Sequence, residues 1–430
     1  VKKFTLAALL IALVSMFGLS MVVHAQTEVE LSAWTHDQLY LDYFTSRLEE
    51  WEAAHPDITF TYDFTVIPNS AEAFLQGLSA GEELPDLLGI EQGGFPNFMK
   101  NGVIASNFLD ITDRVGDRRD EYAEGRWSIY SYEGRLFALE SSLTASVMYY
   151  QPAIFEEHGI EVPTTWEEML AAGDILGPEG ISLSVATNNG NLFQMLLNQR
   201  DGQIFDEQGN FVLGDEPNRS LAIEVADFLQ RAVANGTLFV VLGDDMWSGA
   251  TLPTAYREGR LASIVMPDWW STCCLQPGVE DMAGQWRVAA PPRWEGGGYG
   301  TLVWGGTGWA VNSQSPDAEI GWQFLEFMYM GVESQVQRFE QINMFPNMLE
   351  AAADPRVTSL TDPFYGDQAI GEIYAELAPE VPVWYQGEFR SNFLQSAADN
   401  LPLLFDGTMT PEGFVDEVIS LTQDAIDFGF

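Results

Sequence analysis

From residue 28 onward the chain alternates short apolar runs with amphipathic stretches, and that order leaves few architectures open. Glu28 to Trp34 alternates apolar and polar residues and reads as a strand with Trp34 at its end. Asp42 to Ala54 carries Phe44, Leu48 and Trp51 at helical spacing, and His55-Pro56 ends that helix. Ile58 to Val66 reads as a second strand, Ala71 to Ala80 as a helix closed by Gly81, and Pro85 to Ile90 as a third, short apolar strand leading into Glu91-Gln92-Gly93-Gly94. Strands separated by helices from the start predict an α/β protein with a mostly parallel sheet covered by helices on both faces.

The same alternation continues. Gly134 to Glu140 and Ala145 to Tyr150 read as two more strands. Thr165 followed three residues later by Glu168 is a capping-box pattern and predicts a helix running to Leu176. Asn188-Asn189-Gly190 is a turn before another helix, and Leu221 to Ala234 is amphipathic. In Thr254 to Trp270, a helix stops at Gly259, the apolar run Leu261 to Met266 fits a buried strand of a parallel sheet, and Pro267 ends it. Trp269 and Trp270 then stand at the carboxyl end of that strand, where open α/β sheets bind ligands. Neighbours on a strand end point opposite ways, so one of the two indoles is expected in the core. Trp286 to Ala290 is a strand ended by Pro291-Pro292, and 346–430 is helical in pattern with breaks at Pro363, Pro379 and Pro382. There is no tandem repeat and no low-complexity linker, which fits two α/β lobes with several crossings better than beads on a string.

The charge balance excludes some partners. The 430 residues carry a formal net charge of −44. Every acidic residue lies after position 25, and Lys100 is the one lysine beyond Lys2 and Lys3. Such a surface repels nucleic acid and anionic lipid, which need clustered Lys and Arg. Residues 1–25 read as a secretory signal: Lys2 and Lys3 form the charged start, Phe4 to Val23 is largely apolar, and Val23-His24-Ala25 supplies the small residue before a cleavage site. An uncleaved anchor is the competing reading. The two cysteines, Cys273 and Cys274, are adjacent. In an exported protein they either stay free or close a small disulfide ring that stiffens the loop past the tryptophan pair.

Chemistry-bearing residues recur at strand ends. Trp34, Trp269, Trp270, Trp304, Trp309 and Trp384 fall at predicted strand ends or loops, as do His36, Glu91, Gln92, Glu140, Asn188 and Asn189. Flat aromatics beside carboxylates and amides suit a pyranose, with apolar faces and hydroxyl edges. Each of the polar residues taken singly is better explained as a solvated loop residue, and Tyr149-Tyr150 as a packing pair; the signal is their repeated placement at one edge of the sheet. Gly-Gly-Thr-Gly at 305–308 lacks the lysine of a phosphate loop, Gly-x-Ser-x-Gly does not occur, and the scattered histidines show no metal triad. No cofactor is expected.

The order of the pieces resembles the family 1 extracellular solute-binding proteins, the sugar-binding components of ABC importers related to maltose-binding protein. The residues that carry the resemblance are Phe74 to Gly81 through Pro85-Asp86, Tyr132 to Leu139, Tyr149-Tyr150-Gln151 and Val162 to Met169. Arg257 to Ala262 before the tryptophan pair, and Gly306 to Val311 before Trp322 to Leu325, complete it. The resemblance implies a two-lobed periplasmic-binding-protein fold (type II-like), each lobe a mostly parallel sheet flanked by helices, with the ligand cleft between lobes. It implies lobe 1 over 26–142 plus 292–343 and lobe 2 over 143–291 plus 344–430, with crossings near Ser141–Ala145, Pro291–Glu295 and Met344–Pro346. It also implies ligand contacts from Trp34, His36, Glu91, Gln92, Trp269, Trp270, Gly306 and Thr307. Glu140, Asn189 and Trp384 join them as candidates, Glu140 standing where the family often has proline and acting either as a hydroxyl acceptor or as a local strut. Gln151 replaces the usual asparagine, and the paired cysteines are outside the common pattern. The expected protein is an exported, monomeric receptor, periplasmic or extracellular at the cell envelope. It captures a neutral mono- or oligosaccharide by lobe closure, performs no chemistry and delivers its ligand to an ABC permease in the membrane. The alternatives are an exported glycan-active hydrolase and a receptor of the same fold for a cationic solute such as a polyamine.

Overall fold

The computed structural model describes residues 27–241, 243–247 and 249–429. The expected leader, 1–25, lies outside the described residues. The strands that position the site are β1 (Thr27–Thr35), β2 (Ile58–Val66), β3 (Leu87–Glu91), β4 (Leu139–Glu140), β5 (Ser146–Tyr150), β6 (Ser184–Thr187), β7 (Leu238–Val241), β8 (Ser263–Pro267), β9 (Arg287–Ala289) and β10 (Thr307–Val311).

One sheet has the order β2–β1–β3–β10–β4. In β1, Val29, Leu31 and Ala33 are buried while Glu28 and Glu30 face solvent, the alternation of a strand with one covered face. Its register against β2 runs in parallel from Thr27 opposite Ile58 to Thr35 opposite Val66, and β3 joins the other side in parallel. In β3, Leu87, Leu88 and Ile90 are all buried, as expected of a central strand covered on both faces. The helix Ser70–Ala80 packs beside β3 and ends at Gly81, whose φ of 69° is the left-handed conformation that closes a helix cheaply only when the side chain is absent. β10 runs against the others, between β3 and β4.

The second sheet has the order β8–β5–β9, with β5 opposed to both neighbours. The pair β6–β7 is parallel, and a parallel bridge of Ser182 with Leu261 joins it to the segment entering β8. The apolar run at 261–266 was expected in a parallel sheet, but β8 lies antiparallel to β5. An apolar run buried on both faces looks the same in either direction, so composition does not carry strand sense. Each sheet therefore contains a single opposed strand, β10 in the first and β5 in the second. Each of these is also the strand by which the chain arrives from the other sheet.

The passages lie side by side. Segment 141–145 leads from β4 into β5, and 301–306 leads into β10. Ala145 pairs with Val303 in an antiparallel bridge, Ser141 N–H donates to Thr307 O at 3.0 Å, and Ser146 N–H donates to Leu302 O at 2.8 Å. A third segment joins them where Leu143 N–H donates to Phe345 O at 3.0 Å and Asn347 Nδ2 donates to Glu140 O at 2.9 Å. Residues 291–295, where the second crossing was expected, run beside the start of the helix Trp166–Leu176: Trp166 N–H donates to Arg293 O at 3.0 Å. The prolines end β9, but the chain follows that helix start before passing over. The helix itself opens with the capping box, Glu168 N–H donating to Thr165 Oγ1 at 3.1 Å and Glu168 Oε2 accepting from Thr165 N–H at 3.2 Å.

Candidate ligand-binding site

A cavity of about 1070 Å³ opens where the carboxyl ends of β1, β3 and β8 meet the segment entering β10. That volume is at the upper end for a small-molecule site. Its floor is contributed by the first sheet. β1 ends in His36 and Asp37, β3 ends in Glu91, and Gly305, Gly306 and Thr307 lead into β10. Tyr40 joins them one turn into the helix Gln38–Ser46, whose N-terminus Asp37 caps by accepting from Leu39 N–H at 2.9 Å. Gly306 is required there: at φ 110° any Cβ would come within 2.6 Å of Arg126 Nη2 and 2.9 Å of both Glu140 oxygens.

The opposite wall is aromatic. Trp269 leaves the end of β8 and its Nε1–H donates to Trp304 O at 2.9 Å. The ring centroids of Trp247 and Trp269 are 6.1 Å apart with planes 23° from parallel, and Trp304 lies 5.5 Å from Trp247 and 5.8 Å from Trp269. Trp247 is 47% exposed, a large apolar area to leave in water unless something covers it. Cys273 and Cys274 are joined in a disulfide within the turn Ser271–Leu275, with Cys273 on the cavity side. The remaining rim comes from residues 339–344 and 360–363.

The lining is acidic. Asp37, Glu91, Asp268, Glu340 and Asp362 line it, and no Lys or Arg does among the described residues. Burial raises the Asp268 carboxyl to about 7, against the pull of the Trp269 N–H, which donates to its Oδ1 at 2.9 Å. Burial also raises Glu91, with the Arg390 charge working the other way. It lowers His36, which favours a neutral imidazole. Near neutral pH Asp268 can thus both donate and accept hydrogen bonds. Among the described residues no group of His, Cys, Asp and Glu is arranged to hold a metal ion.

Of the residues singled out in the sequence, the structure brings His36, Glu91, Trp269, Trp304, Gly306, Thr307 and Cys273 to this cavity. It places the others elsewhere. Trp34 shares a strand face with Glu30 and Ser32 and lines a separate depression of about 660 Å³. Gln92 points into the protein, its N–H donating to Gly306 O at 3.0 Å and its carbonyl accepting from Gln386 Nε2 at 3.1 Å. Glu140 is a buried strut, paired with Arg126 and accepting from the N–H groups of Ser141 and Ser142. Asn189 Oδ1 accepts from Asn191 N–H at 3.1 Å and from Thr187 Oγ1 at 2.9 Å, shaping the start of a helix. Trp270 and Trp384 are core residues, each 2% exposed, and Cys274 packs against the same core. Trp309, expected at a strand end, sits within β10 with its ring 4.6 Å from Phe44.

The cavity also holds residues that the sequence reading did not select: Asp37, Tyr40, Trp247, Asp268 and the rims 339–344 and 360–363. Trp247 carried a usable signal, a tryptophan directly after Asp244-Asp245-Met246 in a stretch with no strand or helix periodicity. Such a residue has no core to enter.

The chain is 26% identical over 412 residues to an arabinooligosaccharide-binding protein of Halalkalibacterium halodurans, covering 93% of this chain and 89% of the relative. It is 24% identical over 392 residues to the arabinooligosaccharide-binding protein of Bacillus subtilis, covering 88% and 87%. Its fold is similar to that of the sugar-binding protein MalE from Xanthomonas citri, with a TM-score of 0.74 at 15% identity over 92% of this chain and 97% of the other. Like that protein it is two-lobed, each lobe a mixed sheet flanked by helices. Residues 39–329 match the model of the bacterial extracellular solute-binding proteins, and the chain belongs to that family.

Proposed function

We propose that the chain is an exported receptor that captures a neutral oligosaccharide between its two lobes and hands it unchanged to an ABC import permease. The observation that carries this reading is the wall of Trp247, Trp269 and Trp304 facing hydroxyl-binding groups at the ends of β1 and β3, with no Lys or Arg in the lining among the described residues. Indole faces take the apolar C–H faces of sugar rings, and Glu91, Asp268, His36 and Thr307 take the hydroxyl edge. Two of the relatives are named for arabinooligosaccharides, which supports a short oligosaccharide as the ligand class. A cavity of about 1070 Å³ has room for several sugar units.

Closure follows from where the contacts reside. Trp269 extends from the second sheet and Glu91 from the first, so a ligand that touches both stabilises the closed arrangement and shifts the population toward it. The five lining carboxylates favour a second reading, a cationic solute such as a polyamine. The raised Asp268 weakens it, since a carboxyl held partly protonated near neutral pH attracts a cation less.

Tryptophan fluorescence of residues 26–430 tests both readings. It would be titrated with arabinotriose, maltotriose, lactose and spermidine, and each sugar recovered and weighed by mass spectrometry. A saturable shift with one of the sugars, and recovery of that sugar intact, is expected. A response to spermidine alone, or cleavage of the sugar, overturns the proposal.

A further inference from the structure

The disulfide between Cys273 and Cys274 is not needed to hold two distant parts of the chain together, since its partners are sequence neighbours. It constrains little of the unfolded chain, so the usual reason for a disulfide is weak here. Its position is more informative. The turn Ser271–Leu275 follows directly from Trp269 and Trp270 at the end of β8. Cys273 is exposed on the cavity wall, whereas Cys274 is half-buried against the core that also contains Trp270.

The same turn carries one rim of the cavity. Ser271 Oγ and Tyr365 Oη are 2.6 Å apart, and Gln276 Nε2 donates to Asp362 Oδ2 at 2.8 Å and to Ser271 Oγ at 3.0 Å. Through these contacts the turn holds residues 360–363, which form part of the lining. An intact ring thus sets two things at once: the sulfur surface beside Trp269, and the position of the 360–363 rim.

We propose that the Cys273–Cys274 disulfide is a ligand-contacting element of the cavity, and that ligand affinity depends on its oxidation state. The proposal rests on the oligosaccharide reading above. A disulfide sulfur has no hydrogen to donate and is soft and polarisable, so it continues the apolar wall of Trp247 and Trp269 without competing for hydroxyls. Two thiols in its place would be weak donors on a freed turn. Reduction by a dithiol breaks the Sγ–Sγ bond. Each sulfur gains one electron and one proton, and the dithiol gives up both pairs and closes to its own disulfide.

The test uses the oxidised protein, the same protein reduced with dithiothreitol and alkylated, and the double variant Cys273→Ala, Cys274→Ala. Each is titrated with whichever of arabinotriose, maltotriose and lactose the oxidised protein binds most tightly. Thermal melting of all three preparations is recorded in parallel. In addition, the rate of reduction by dithiothreitol is measured with and without saturating sugar. Binding roughly tenfold or more weaker in both altered preparations is expected, about the worth of one or two buried apolar groups. Cooperative melting should be retained, and reduction should slow when sugar is bound. Should the double variant fail to fold, the reduced wild type and the protection rate still decide the matter. Equal affinity in oxidised and reduced protein, or reduction at the same rate with sugar bound, overturns the proposal while leaving the receptor reading intact. If the oxidised protein binds none of the sugars, the receptor reading falls and takes this proposal with it.

Discussion

Arg126 and Glu140 form an ion pair 2.7 Å long with almost no exposure on either side chain, at the point where β4 turns into the passage toward the second sheet. Arg126 Nη2 also donates to Gly305 O at 3.2 Å, in the returning passage. Glu140 Oε1 accepts from Ser141 N–H at 2.9 Å and Ser142 N–H at 3.2 Å. One carboxylate thus fixes the exit of one passage and, through the guanidinium, the entry of the other. Burial raises the Glu140 carboxyl and the Arg126 charge opposes that shift, so the pair is held by mutual compensation.

Removing one member leaves the other charge buried and alone. Glu140→Gln is expected to destabilise the fold by about 3–5 kcal/mol, read from urea denaturation at neutral pH. An unchanged midpoint and slope would mean that the pair contributes nothing to stability and the strut assignment is wrong.

Asp268 predicts a pH dependence with a definite sign. Its folded carboxyl titrates near 7 and its ordinary value is 3.8, so the folded state binds more protons between those limits. Its effect on stability is therefore least unfavourable below about pH 4, becomes more unfavourable as pH rises toward about 7, and is constant above. Asp268→Asn removes this slope. The variant should gain on the wild type by an amount on the order of 4 kcal/mol across that interval. Parallel wild-type and variant denaturation curves at every pH would contradict the assignment.

The adjacent indoles should separate binding from folding. Trp269→Ala is expected to weaken the sugar by about 2 kcal/mol, roughly thirtyfold in Kd, with little change in melting temperature. Trp270→Ala should cost about 3–5 kcal/mol of stability, as large-to-small changes in packed cores do. Calorimetric titration and thermal melting on both variants distinguish the roles, and an exchange of the two outcomes would reverse them.

Arg338 offers an opposite expectation. It is fully buried, Nε, Nη1 and Nη2 have no hydrogen-bond partner among the described residues, and the ring of Tyr329 lies 5.4 Å from its guanidinium carbon. A buried charge without a counterion is costly. Arg338→Met, of similar length, should raise stability by about 1–4 kcal/mol in the same urea assay. A destabilised variant would show that the guanidinium has a compensating interaction after all.

What the sequence made legible was local. Gly81, Gly259 and the Thr165–Glu168 capping box read correctly because each acts within one turn of its own helix. The location of the cavity followed from strand ends: His36, Glu91 and Trp269 all lie at or within two residues of a strand's carboxyl end. Trp34 was expected as a ligand contact but lies outside the cavity; its strand parity with the exposed Glu30, rather than with the buried Leu31 and Ala33, does not distinguish one surface depression from another. The direction of β8 was not, because burial on both faces removes the pattern that direction would leave. Nor was the fate of Glu140, whose partner Arg126 lies on another element. The 360–363 rim reaches the cavity only by long-range contacts such as Gln276 with Asp362, which no local window contains.

β10 occupies the gap between β3 and β4, although it is made more than 160 residues after β4 in the chain. A polypeptide growing from its amino end therefore reaches β4 with an open seam in the first sheet, both flanking strands lacking a neighbour. The second sheet's strands must all emerge before the seam can close. Half of this protein cannot mature ahead of the other half, and a chain halted before residue 307 presents bare strand edges able to recruit a second chain.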